Sequence, residues 1–287
     1  MAAAVTPLDW TGGPALAWVL TAAGLYWLGG RRDGGRSVET SGRWRTAAFC
    51  GGLVAILAAL DSPLDELADQ LFWAHMVQHI LLITVAPPLL ALARPWMRMW
   101  RGLPLTLRRD VATAYTHDRW LWPLRRGAGL LAEPIPSWLI FNLTFLAWHL
   151  PGPYDAAVRS GAVHALEHLT FFATALLFWT RVIYSPPWRS RLSDLGRIAY
   201  LTSTMVASWV LAVVLALATS PLYSAYADQA SRPGGISALT DQQLAAGVMW
   251  VPGSLAYAIA IVVIAYGWLE PGAARRRPRV HSLARGT

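Results

Sequence analysis

Two short segments hold the residues best able to do chemistry: HMVQH at 75–79 and HALEH at 164–168. Each sets two histidines four residues apart within an apolar run. On a helix, residues i and i+4 share a face about 5–6 Å apart, so either pair can grip one metal ion from one side. Imidazole within an apolar membrane segment is costly without a partner, and its presence there points to function. Imidazole suits copper, zinc, iron and nickel, and thioether sulphur selects Cu(I). Met76 stands inside the first pair, and Met249 lies in a later apolar segment at similar depth. Gln78 and Glu167 each precede the second histidine of a pair, within reach to orient the rings or to serve as additional ligands. Asp241, Gln242 and Gln243 enter the last apolar segment and are candidates for the same task. The single cysteine, Cys50, excludes an intrachain disulfide and any CxxC motif. A histidine-dominated site with optional methionine points to copper first and zinc second.

The elements that must position these residues are membrane helices. The chain of 287 residues is 55% apolar and only 14% charged, with 16 Trp, whereas soluble domains carry about 25% charge. Its apolar runs approach the roughly 20 residues that cross a bilayer. Seven spans are predicted: about Pro14–Gly30, Arg45–Leu60, Gln70–Ala86, Ser137–Leu150, Ala162–Ile183, Arg197–Thr219 and Leu244–Leu269. Pro87-Pro88 must kink or end the third, because neither proline can donate to the helix ladder; Pro151, Pro186-Pro187 and Pro221 close the next three. The expected fold class is an all-α polytopic membrane protein, a seven-helix bundle forming one domain over residues 1–287.

The formal charge of +8 reads as topology, not as a nucleic-acid surface, since no basic recognition module is visible. All 24 basic residues are arginines, and all but Arg159 and Arg232 fall in the first, third and fifth loops or in the C-terminal tail. The positive-inside rule then places the N-terminus out and the C-terminus in. The N-terminus lacks a positive signal-peptide region, which favours an uncleaved first helix. An inner loop at about 94–136 (RPWMRMWRGLPLTLRR at its start) suits the headgroup region, and the basic tail at 270–287 suits an inner-face anchor. Asp61, Asp65, Glu66 and Asp69 make an acidic outer loop able to concentrate cations. On this layout His75, His79, His149, His164 and His168 all fall in the outer half of the membrane, on three helices. His117 and His281 lie on the inner side as bystanders.

HMVQHILL, WHLPGPYDAAV, HALEHLTFF with a following FWT, and DQQLAAGVMWVPG together resemble the motif series of the CtaG family of cytochrome c oxidase assembly factors. The resemblance covers the third to the seventh span. It implies a bacterial plasma-membrane protein that supports maturation of the oxidase, handles copper and meets an oxidase subunit, with His75, His79, His149, His164 and His168 as the matching positions. No motif covers the inner loop or the termini, and the oligomeric state is left open. Two other chemistries stay open beside non-catalytic copper binding. Facing histidines on two helices can ligate haem iron axially. His164-Ala-Leu-Glu167-His168 also spells the H-x-x-E-H pattern of zinc hydrolases, with Glu167 as general base, although HMVQH has Gln in that place.

Overall fold

The computed structural model describes residues 13–32, 40–185 and 191–270. Arg36, Pro186-Pro187, Arg189 and the tail with His281 lie outside the described residues. The chain begins with α1 (Pro14–Arg32), α2 (Thr40–Leu60) and the short acidic α3 (Pro63–Ala68). Ser62 caps α3 by accepting from the Leu64 N–H. Next come α4 (Phe72–Ile80), a five-residue π turn (Leu81–Val85) and α5 (Ala86–Ala93). After α6 (Trp96–Gly102), α7 (Leu105–His117) and α8 (Trp122–Leu131), α9 (Pro134–Trp148) leads through α10 (Pro151–Arg159) into α11 (Gly161–Val182). The last elements are α12 (Asp194–Leu217), the single turn α13 (Ser224–Ala227) and α14 (Ala238–Leu269).

Among the described residues, five stretches are long and apolar enough to span a bilayer: Gly42–Leu60, Phe72–Ala93, Gly161–Val182, Asp194–Leu217 and Ala238–Leu269. A sixth would join residues 119–131 to α9 across an 88° bend. The described residues therefore make an all-helical, multi-pass membrane protein with five or six candidate spans on length and apolarity, and the expected seven is reached only if α1 and α9 both cross. Two expected spans account for the difference. The first, α1, is 19 residues long, but Trp, Gly and two closing arginines dilute its apolar run. The fourth, α9, has 15 residues, about 22 Å of helix against a hydrocarbon core of about 30 Å. Pro134 opens α9 where its missing N–H costs nothing. Arg181 of α11 donates to the Ala132 carbonyl, 2.5 Å away, and so holds the bend.

The third span does not stop at Ala86. The π turn just before Pro87-Pro88 carries the helix on to Ala93. In a regular helix the Pro87 ring would clash with the Ile83 carbonyl and leave it without a donor. Instead Trp179 of α11 donates its indole N–H to that oxygen at 2.9 Å, and the Thr84 hydroxyl fills the Ile80 carbonyl at 3.0 Å. The broken helix and α11 are thus tied together below their histidines.

The 94–136 segment is helical, and its first helix packs closely on α1. A Cβ on Gly29 would lie 1.8 Å from the Arg98 carbonyl oxygen, and one on Gly102 would lie 2.2 Å from that of Leu25. Only glycine allows that approach. Arg32 donates to the carbonyls of Arg101, Gly102 and Leu103, closing the end of α6.

Candidate metal centre

On α4 the rings of His75 and His79 stand 4.3 Å apart, centre to centre. On α11 those of His164 and His168 stand 4.1 Å apart. The pairs face each other, with 4.8 Å between His75 and His164 and 5.5 Å between His79 and His168. His149, at the end of α9, lies 6.0 Å from His79. All five predicted histidines therefore meet in one pocket. Glu167 sits within it, fully buried, with its oxygens 3.5 Å from His75 Nε2 and 3.7 Å from His79 Nε2.

His75, His79, Glu167 and His168 are all buried and each offers a donor atom within 4.8 Å of the others. Two donors bound to one ion at about 2.0–2.1 Å lie no more than about 4.2 Å apart. Small side-chain rotations close that gap, so the four residues fit a metal ion. Glu167 thus stands among the donor atoms, the ligand position being one of the two places expected for it from sequence. Eight buried polar atoms here have no hydrogen-bond partner: one nitrogen each of His75, His149, His164 and His168, both nitrogens of His79 and both oxygens of Glu167. Each such atom costs about 1–3 kcal/mol, and a cation would satisfy several at once.

Hydrogen bonds from behind select the ring nitrogens that face the pocket. The Tyr226 hydroxyl donates to the Ala68 carbonyl at 2.5 Å and lies 3.0 Å from His75 Nδ1. Its one proton is committed to a group that can only accept, so His75 Nδ1 must carry its own. The Nε2 lone pair then faces Glu167. Burial pushes the Tyr226 hydroxyl well above its ordinary pKa, which keeps that proton in place. His149 Nδ1 donates to the Phe145 carbonyl at 2.7 Å by the same logic, leaving Nε2 free to bind.

Other predicted residues hold the frame. The Gln78 amide donates to the Ala59 carbonyl at 2.7 Å and to Asp65 at 2.8 Å, tying α4 to α2 and α3 and not orienting a ring. Asp241 accepts from the N–H groups of Phe72 and Trp73 at 2.9 and 3.0 Å. The N-cap position of α4, Leu71, has no capping side chain, so a carboxylate on α14 caps the helix that carries His75 and His79. Gln242 accepts from the Leu222 N–H and donates to the Leu215 carbonyl. Met76 and Met249 are both buried and pack in one cluster with Phe72, Tyr154, Tyr223 and Tyr226. His117 is exposed, 2.7 Å from Thr116 Oγ1. The acidic segment after α2 folds as α3; burial raises the Asp65 carboxyl above its usual range, opposed by the Gln78 hydrogen bond and by the nearby His164.

Sequence reasoning missed three residues. Tyr226 lies between the sixth and seventh predicted spans, where no motif or site residue was assigned. Tyr154 is fully buried, 5.2 Å from the His75 ring, and Trp179 fixes the break in the third span. The last two fall inside motifs singled out for other reasons, PYD and FWT, and that was the available signal. The family model described as cytochrome c oxidase caa3 assembly factor (Caa3_CtaG) matches residues 24–270, most of the chain. No curated protein and no solved structure matches.

Proposed function

The chain belongs to the cytochrome c oxidase caa3 assembly-factor family, and from that premise we propose that it serves assembly by holding copper among its buried histidines. The observation that carries this reading is the four-residue donor set with its unpartnered atoms. Three imidazoles and one carboxylate suit copper or zinc, and copper is the metal that the centres of an oxidase would consume. Bound copper would lie between His75, His79, Glu167 and His168, with His149 and His164 as exchange ligands. Such spare ligands let an ion load and then leave toward an oxidase subunit.

The protein is read as a single seven-helix domain of the bacterial plasma membrane, N-terminus out and C-terminus in, supported by the arginine distribution and by positive-inside bias. The site then opens on the outer side, beside Asp65 and Asp69. The role is binding without catalysis. Glu167 is turned into the donor set and not toward an open cleft, which favours binding over hydrolysis. The imidazoles also stand ring to ring, 4.1–4.8 Å apart across the closest pairs, a packing that leaves no slot for a porphyrin.

The test is elemental analysis and an optical spectrum of purified protein. About one copper ion per chain and no Soret band are expected, with His79→Ala/His168→Ala losing the ion while its helical circular dichroism is retained. Full copper retention in a folded double variant would overturn the reading, as would a haem spectrum.

A further inference from the structure

Beside the donor set lies a cavity of about 30 Å³. His79 and His149 line it, together with Met76 and Met249, and Thr84 of the π turn lines it too. From His79 to Thr84 its wall therefore advances about 7 Å along the helix, toward the middle of the span. A space of this size is enough for a water-sized guest such as a single ion.

The groups around it are built for a soft ion. His149 is buried, its Nδ1 is engaged by the Phe145 carbonyl and its Nε2 has no partner. Neither nitrogen of His79 has a hydrogen-bond partner. An imidazole nitrogen binds metal at about 2.0–2.1 Å, which sets the ion about 3.2 Å from the ring centre and two such centres between about 5.2 Å (tetrahedral) and about 6.4 Å (linear) apart. The observed 6.0 Å between His79 and His149 lies within that range. Both thioethers on the wall are buried. Methionine commonly fills core gaps, yet here two of them border one small void beside two imidazoles with free lone pairs.

We infer that the chain has a second metal position, where His79 and His149 with Met76 and Met249 take a monovalent copper ion. It rests on the reading that the neighbouring cluster binds an ion, because His79 serves both positions. One set combines imidazole with carboxylate, the other imidazole with thioether, and thioether selects Cu(I). An ion passes between them by exchanging ligands around His79, moving from the cluster into the membrane interior. It enters and leaves as Cu(I), so no electron is transferred.

The test uses the full chain in detergent, with Cys50→Ser in every sample because the exposed thiol binds silver itself. Ag(I) serves as a redox-inert probe for the thioether position and Zn(II) as a probe for the imidazole–carboxylate set. Met76→Leu/Met249→Leu is expected to bind Ag(I) at least tenfold more weakly than the parent while its Zn(II) affinity is unchanged. X-ray absorption of the silver-loaded parent is expected to show sulphur neighbours that the double variant lacks. Leucine replaces methionine at similar volume, and a thermal melt checks the fold. Equal Ag(I) affinity with Zn(II) still bound overturns this inference alone; no binding of either ion to the parent overturns the cluster reading with it.

Discussion

A buried imidazole is a good ligand when its other nitrogen is already engaged, because the ring is then held in one tautomer and one orientation. Tyr226 does this for His75, its hydroxyl 3.0 Å from Nδ1. Tyr226→Phe keeps the ring stacked on Phe72, 5.5 Å away, and removes only the hydroxyl. Loss of such an outer partner lowers metal affinity by roughly 10–100-fold. A competition titration with a copper chelator is expected to show a drop of that order, with unchanged stoichiometry at saturating copper. Tyr223→Phe is the matched control, since its hydroxyl donates to the His149 backbone carbonyl at 2.9 Å and to no ring nitrogen. Equal affinities in the two variants would remove the special role of Tyr226.

At the scale of elements, the site depends on α4 entering at the correct depth and staying aligned with α11. Asp241 sets the first condition by capping α4 from α14. Asp241→Ala leaves two buried N–H groups without acceptors, a loss of about 1–3 kcal/mol for each group. The expected result is a lower melting temperature in detergent, partly restored by saturating copper, because an ion that binds only the folded state stabilises it. A melt unchanged from the parent would show the cap to be dispensable. Trp179 sets the second condition through its 2.9 Å bond to the Ile83 carbonyl. Trp179→Phe keeps an aromatic ring in the core and frees that carbonyl, so weaker copper binding is expected although Trp179 touches no ligand. Both roles were hard to read from sequence. Pro87-Pro88 marks a break plainly, yet whether the helix stops or continues depends on a donor 96 residues away. Asp241 likewise looks like a polar first turn of its own helix until its acceptor contacts with Phe72 and Trp73 are seen.

At the scale of the molecule, helical character and the meeting of histidines from three helices were legible because both follow from local pattern: long apolar runs, and i, i+4 spacing on one face. The tyrosine that orients His75 and the one that packs on its ring were not, since Tyr226 and Tyr154 reach the site from α13 and α10 through packing that no periodicity encodes. Span number is the other point where local pattern fell short. Five stretches qualify on length and apolarity, and α1 and α9 decide whether the count rises to seven. Gly29 and Gly102 let α1 and α6 touch backbone to backbone, and Arg32 closes the end of α6 through three carbonyls. That contact places the basic end of α1 beside the arginine-rich segment after α5, where positive-inside bias puts the cytoplasm. If α1 and α9 both cross, or neither does, the two chain ends lie on opposite sides; if only one crosses, they lie on the same side. Fusion reporters at both ends, with a third directly after α1, separate these cases. Alkaline phosphatase at the N-terminus is expected to be active and a fluorescent protein at the C-terminus to glow, whereas two reporters agreeing on one side would cut the bundle to six helices. Arg32→Glu/Arg98→Glu is expected to weaken the orientation of α1 in the same assay, because it removes charge from the inner end of that helix and from the α6 arginine that donates to the Tyr26 carbonyl.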